Sequence, residues 1–280
     1  MRSVTACALI LCGLVGCVRD LPGHGLGDDA RLVFRDFDDD PAALPGIVDR
    51  MDAALDALDL EGKQRDRMFD LPELTADFFS DVDVPTDIDT SAQMRASLAA
   101  LSRQSLDDNL AAQAEENQTC INADSVKCHE RLAADETNAA DFLDATDDVY
   151  RTDNTIRIQT IVLDFWLQAP VDFRRVTLPD GRAAAVSRTW LTEGFNNDGG
   201  GREWRQRFGV DLFIEDPDDS TKTRRYYATW LGPSVGGIPG WFAEPAIRSG
   251  LDDGFTNPDD WVDDPTCDVV LSECLAESPF

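Results

Sequence analysis

The sequence predicts an α+β fold in which a helical N-terminal portion packs with an antiparallel β-meander of about five strands. Apolar residues recur at helical spacing up to about residue 150, and beyond it the period changes to two. The connections between the later apolar runs are also too short for the crossover helices that parallel strands require.

In chain order, Asp40 before Pro41 pairs a helix N-cap with a first-turn proline. Leu44, Ile47, Val48, Met51, Leu55 and Leu58 then follow on one face. A shorter helix is expected over 69–79, begun at Pro72. Residues 91–116 set Met94, Leu98, Leu101, Leu106 and Leu110 on one face, and residues 128–150 set Leu132, Ala139, Phe142, Leu143, Thr146 and Val149 on another. Both segments are therefore expected to be helical. Strands are expected over 156–168, 174–178, 183–191, 202–215 and 223–231. The clearest, 202–215, alternates Trp204, Phe208, Val210, Leu212 and Ile214 with Arg205, Arg207 and Asp211. Leu178-Pro179-Asp180-Gly181 is a hairpin turn by its Asp-Gly pair, and residues 196–201 (NNDGGG) form a longer loop. From Gly232 onward the glycine and proline density predicts mostly loop, with one short helix over 241–249.

The chain holds 54 acidic against 25 basic side chains, a net charge of -29. Such a charge disfavours nucleic acid and anionic lipid as electrostatic partners. Charge is balanced between 151 and 230 and strongly acidic on both flanks. The expected organisation is a leader over 1–16, a flexible tether over 17–29 (rich in glycine and proline), and an acidic helical portion over 30–150. A sheet module over 151–250 and an acidic tail over 251–280 complete it.

Arg2 precedes an almost wholly apolar run over 4–15 (VTACALILCGLV), which has the length of a secretory core and is too short to span a bilayer. Leu14-Val15-Gly16-Cys17 closes it and resembles the lipobox of bacterial lipoproteins. The resemblance implies cleavage after Gly16 and acylation of Cys17 by diacylglycerol and palmitate, hence a membrane partner through the lipid. Because Val18 is not aspartate, it also implies the outer membrane of a Gram-negative cell envelope. It implies no activity.

Four cysteines remain beyond Cys17, an even number in an oxidising compartment: Cys120, Cys128, Cys267 and Cys274. Three pairings are open. Closeness in sequence favours Cys120 with Cys128, closing a helical hairpin, and Cys267 with Cys274, pinning the tail.

No catalytic residue, metal site or cofactor is assigned. Gly232-Pro233-Ser234-Val235-Gly236 matches the nucleophile elbow of serine hydrolases and follows a strand, but His24 and His129 both lie upstream of it. Asp81, Asp83, Asp87 and Asp89 lack the glycine and glutamate of a calcium loop. Aromatic and arginine side chains crowd the sheet module. Core packing and pairing with the acidic portion are the bland accounts of them. The binding alternative rests on Trp190, Trp204, Trp230, Arg205, Arg207 and Tyr227. The preferred function is a non-catalytic envelope lipoprotein that binds a small molecule or protein. A structural or assembly lipoprotein without a pocket comes second, and a carboxylate-based hydrolase third.

Replacing Cys17 with alanine is expected to move the protein from the membrane to the soluble fraction. Persistent membrane association after fractionation would contradict the anchor.

Overall fold

The computed structural model describes residues 25–61, 71–75, 78, 94–159, 164–196, 203–234 and 240–280. The leader, Cys17, most of the expected tether, the 81–89 aspartates and most of the glycine-rich loop lie outside the described residues. So do the side chains of Trp204, Arg205 and Ser234.

Helix α1 (Leu26–Asp39) is followed by a 3₁₀ turn (Pro41–Ala43) and α2 (Leu44–Asp56). The expected tether thus ends inside a helix. Leu26, Ala30, Val33, Phe34 and Phe37 form one buried stripe, and Leu44, Ile47, Val48, Met51 and Leu55 another, at the expected 3–4 residue spacing. Burying each large member of such a stripe contributes roughly 1.5–3 kcal/mol. The helix expected over 69–79 is not formed at 71–75, a stretch that is non-helical.

The remaining elements are β1 (Met94–Ser102), α3 (Leu106–Ala114), β2 (Val126–Ala133), α4 (Ala139–Leu143), β3 (Val149–Gln159), β4 (Asp164–Gln168) and β5 (Val171–Thr177). They continue with β6 (Ala183–Trp190), β7 (Glu193–Asn196), β8 (Glu203–Glu215), β9 (Thr223–Ser234), α5 (Gly240–Asp263) and α6 (Leu271–Leu275). The antiparallel class holds, but among the described residues the sheet has nine strands and not about five. All pairings are antiparallel. Its order is β1-β9-β8-β6-β5-β3-β4-β7, with β2 on the other edge of β3. Because β4 and β5 pair with successive stretches of β3, and β7 and β6 with them in turn, the sheet runs effectively β1, β9, β8, β6/β7, β5/β4, β3, β2.

Strands β1 and β2 replace two expected helices, and they bind strands from beyond residue 150, so residue 150 is not a boundary of the fold. Strand β1 is buried on both faces: Ala96, Leu98 and Ala100 meet α5, whereas Ala99 joins the α1/α2 core. A segment buried on both faces shows no alternation, and its alanines favour a helix that the tertiary ladder overrides.

Helix α5 is likewise far longer than expected. It is held along its C-terminal half by Leu251 and Phe255 on β1. Asp259 accepts from Ser102 Oγ and from the Arg103 amide at 3.0 Å, and Arg103 also meets Asp260 and Asp263. Packing and end anchoring thus outweigh the glycines and prolines within it.

The two faces of the sheet differ. Val186, Val210, Leu212, Ile214, Ala228 and Trp230 lie under α1 and α2 in one apolar core. That layer is also tied by charge. Asp38, near the C-terminal end of α1 where the helix dipole disfavours an anion, meets Arg151 at 2.8 Å, Arg174 at 2.9 Å and Arg188 at 2.6 Å. Arg151 and Arg188 also share the buried Asp172. Asp52 of α2 meets Arg182 and Arg224. The arginines of the sheet module thus serve the acidic N-terminal helices, as the bland account holds for Arg174 and Arg224.

The disulfides join Cys120 to Cys267 and Cys128 to Cys274, with sequence separations of 147 and 146. This corrects the local pairing. Cys128 points from β2 toward α6, so each bridge ties the C-terminal segment to β2 or the loop before it, and there is no disulfide-closed helical hairpin. A loop this long removes about 5 kcal/mol of unfolded-chain entropy when one bridge closes it, less for the second, parallel bridge.

Non-reducing peptide mapping is expected to recover Cys120 linked to Cys267 and Cys128 linked to Cys274; a Cys120–Cys128 peptide would contradict this fold. Asp38→Ala is expected to lower the unfolding free energy by about 2 kcal/mol, read by urea titration, because Arg151, Arg174 and Arg188 each lose a carboxylate partner.

Candidate functional site

The α5 face of the same strands is polar although buried. Alternation places Arg207, Gly209, Asp211 and Phe213 of β8 on it, beside Arg225, Tyr227 and Thr229 of β9 and Ala185, Ser187 and Thr189 of β6. Gly209 has a steric reason to lack a side chain: a Cβ there would stand 2.8 Å from Thr189 Cγ2 and 3.1 Å from the Tyr227 hydroxyl. Arg225 lies between the rings of Phe213 and Phe255, each centroid 4.6 Å away, and donates to Asp211 at 2.8 Å. Its Nε is buried without an acceptor.

At the β2 end the buried side chains form one connected network. Asn154 Oδ1 accepts from Arg131 Nε at 2.8 Å and pairs with His129 Nε2 at 2.9 Å, while its Nδ2 donates to Thr152 Oγ1 at 3.0 Å. The Thr152 hydroxyl donates in turn to the Val171 carbonyl at 2.8 Å. An amide oxygen only accepts, so His129 Nε2 carries the proton. His129 Nδ1 is then free to accept from Asn122 Nδ2 at 3.2 Å. The imidazole is neutral, and its pKa lies well below the ordinary value. Burial is the main cause, reinforced by the charges of Arg131 and Arg207. The Asn122 carbonyl in turn accepts from Asn257 of α5 at 2.5 Å, which connects the network to that helix.

Arg131 is 5% exposed, and burial lowers its pKa to about 10, so it stays charged at neutral pH. It donates to neutral acceptors, Asn154 Oδ1 and the Gln113 carbonyl, and stands over the Phe173 ring at 5.1 Å. Arg207 Nη1 is buried without a partner. Among the described residues neither guanidinium meets a carboxylate. By contrast Arg151, Arg157, Arg182, Arg188, Arg224 and Arg225 each have at least one aspartate.

Arg207 and His129 lie four strands apart in the sheet, which would be about 19 Å if the sheet were flat. Beyond His129 the lining turns apolar with Ile156, Phe165, Leu167, Ala169 and Leu191.

Of the residues singled out from the sequence, Arg207 and Tyr227 reach this face. Trp190 and Trp230 do not. Trp190 meets Phe34 edge-on at 6.5 Å, and Trp230 is fully buried with Nε1 donating to the Pro72 carbonyl at 2.8 Å. Both belong to the α1/α2 core and not to a binding surface. His129, Arg131 and Asn154 are absent from the sequence-based set. Reading 126–133 as a strand, with His129 and Arg131 on its inner side, is the signal that finds them. Among the described residues no three histidine, cysteine or acidic side chains are grouped to hold a metal ion.

No protein family matches the chain, and no curated protein matches it. Among solved structures it is similar to a STAR-related lipid transfer protein from Xanthomonas axonopodis, with 13% identity, a TM-score of 0.42, and coverage of 65% of this chain and 98% of that one. A START superfamily protein from Mycobacterium smegmatis shows 10% identity and a TM-score of 0.41 over 61% of this chain and 99% of the other. A protein from Thermus thermophilus shows 9% identity and a TM-score of 0.41 over 62% of this chain and 99% of the other.

Proposed function

We propose that this chain is a non-catalytic binding module, anchored to a membrane through Cys17, that takes a small molecule between the α5 face of its sheet and the helices covering that face. The anchor rests on the lipobox pattern of Leu14-Val15-Gly16-Cys17. The binding reading rests on one observation: where β8 and β9 meet on the α5 face, Arg207 Nη1, Arg225 Nε and Asp211 Oδ1 are all buried without a partner among the described residues.

A buried polar atom without a partner costs about 1–3 kcal/mol. Folded proteins keep few of them, and a cluster on one face of one sheet marks a place reserved for something besides the chain. Arg207 Nη1 and Arg225 Nε are two such atoms, in a lining that also carries the hydroxyls of Ser187, Tyr227 and Thr229. Both ring nitrogens of the buried His129 are taken up in structural hydrogen bonds, which leaves it no lone pair for general-base chemistry.

Native mass spectrometry of the full chain carrying Cys17→Ala, purified from its own host's periplasm, is expected to show a noncovalent adduct that is lost on denaturation. A bare mass in repeated preparations would overturn the binding reading in favour of a structural lipoprotein.

A further inference from the structure

We infer that residues 264–280 form a strap held on the fold by its two disulfides and not by packing, so that a dithiol reductant releases it while the sheet stays folded. This goes beyond the binding-module reading and depends on nothing in the α5 face.

The strap follows α5 and includes α6. None of its residues is buried, and its larger apolar side chains Val270 and Phe280 are 53% and 41% exposed. A helix as short as α6 does not persist by itself. Charge gives no help, since Asp264, Asp268, Glu273 and Glu277 are accompanied by no basic residue in a chain of net charge -29.

The polar ties between the strap and the sheet are slight. Among the described residues, Asn117 Nδ2 donates to the Val269 carbonyl at 3.0 Å, and Glu277 meets Arg157, which Asp164 already holds at 2.9 Å. Glu277 is 65% exposed, so water screens this ion pair. A hydrogen bond and an exposed ion pair together offset the entropy of ordering about three residues, far fewer than the strap contains. The Cys120–Cys267 and Cys128–Cys274 bridges supply the rest.

The neighbouring elements are closed without the strap. Strand β2 pairs with β3, and on its other edge the Gln118 amide donates to the His129 carbonyl and the Arg131 amide to the Glu116 carbonyl, both at 2.9 Å. The end of α5 is fixed by Asp259 and Asp263 on Ser102, Arg103 and Gln104. Opening therefore begins at Asp264 and stops there.

Exposure sets the route of the exchange. Cys128 is fully buried whereas Cys274 is half-buried, so a thiolate reaches this bridge at Cys274. A new S–S bond forms to Cys274, the bond to Cys128 breaks, and Cys128 leaves as the thiolate. The second thiolate of the dithiol then displaces Cys274 and closes a cyclic disulfide. Two electrons and two protons thus pass from the dithiol to the bridge. The Cys120–Cys267 bridge, half-buried at both sulfurs, consumes a second dithiol in the same way.

Hydrogen exchange read by mass spectrometry, on the full chain carrying Cys17→Ala with and without dithiothreitol, tests this. Both bridges are expected to be reduced under native conditions, as intact mass reports. The amides of Glu273, Cys274, Glu277 and Ser278, which bond within the strap, are then expected to exchange about tenfold or more faster, while those of β8 and β9 keep their rates. Bridges that resist dithiothreitol until the chain is denatured would overturn the inference. So would unchanged exchange in a reduced strap, which would mean that packing holds it, or loss of protection in β8 and β9 together with the strap, which would mean that the bridges hold the whole fold. Cys267→Ser combined with Cys274→Ser needs no reductant and is expected to reproduce the reduced pattern; its failure to fold would count with the last of these outcomes.

Discussion

The carboxylate of Asp38 is the point on which the two faces of this sheet diverge. It stands at the end of α1 where the helix dipole repels it, and the guanidinium groups of Arg151, Arg174 and Arg188 gather there to compensate. Burial would raise its pKa, but the hydrogen bond from Arg151 and the charges of Arg188, Arg151 and Arg174 together hold it below the ordinary value. With Asp172 beneath, this network fastens α1 across β3, β5 and β6. Once α1 and α2 close that face, the chain has its largest apolar core there, and the opposite face carries smaller clusters around Phe142 and Phe173 and around Leu251 and Phe255. Polar and incompletely paired side chains become tolerable on it.

The division also explains why the helices differ in character. Helices α1 and α2 carry continuous buried stripes, Leu26 through Phe37 and Leu44 through Leu55, because they seal a core. Helix α5 carries glycine and proline in its length, and its C-terminal half is held by Leu251, Phe255 and Asp259. The two disulfides act on the same end, joining the segment after α5 to β2 and its preceding loop.

Legibility in the sequence follows the same line. Strands β8 and β9, the turn at Asp180-Gly181 and helix α2 are readable because each has one apolar side and one polar side, or a turn residue with a specific task; Gly181 adopts φ 92°. Strand β1 is not readable, because a segment buried on both faces with alanine at 96, 99 and 100 presents a helical spacing of larger residues. Strand β2 is not readable for a more informative reason. Its inward residues are His129 and Arg131, where a pattern search expects apolar side chains, so the pattern fails where the candidate site is built. The disulfide pairing depends on where α5 carries the chain, which no local spacing encodes. Trp190 and Trp230 attract attention by size, and size places them in the core. Arg207 is visible in the alternation of β8, whereas its lack of a carboxylate is a property of the fold alone.

The surroundings of the α5 face show themselves in the protonation of His129, since burial and the charges of Arg131 and Arg207 all act on that ring. An NMR titration of the His129 imidazole in the full chain carrying Cys17→Ala measures this most directly. The expected result is a neutral Nε2–H tautomer that stays unprotonated well below pH 6.5, the ordinary histidine value, with a pKa that rises in Arg207→Gln. A ring titrating near its ordinary value, indifferent to Arg207, would contradict it.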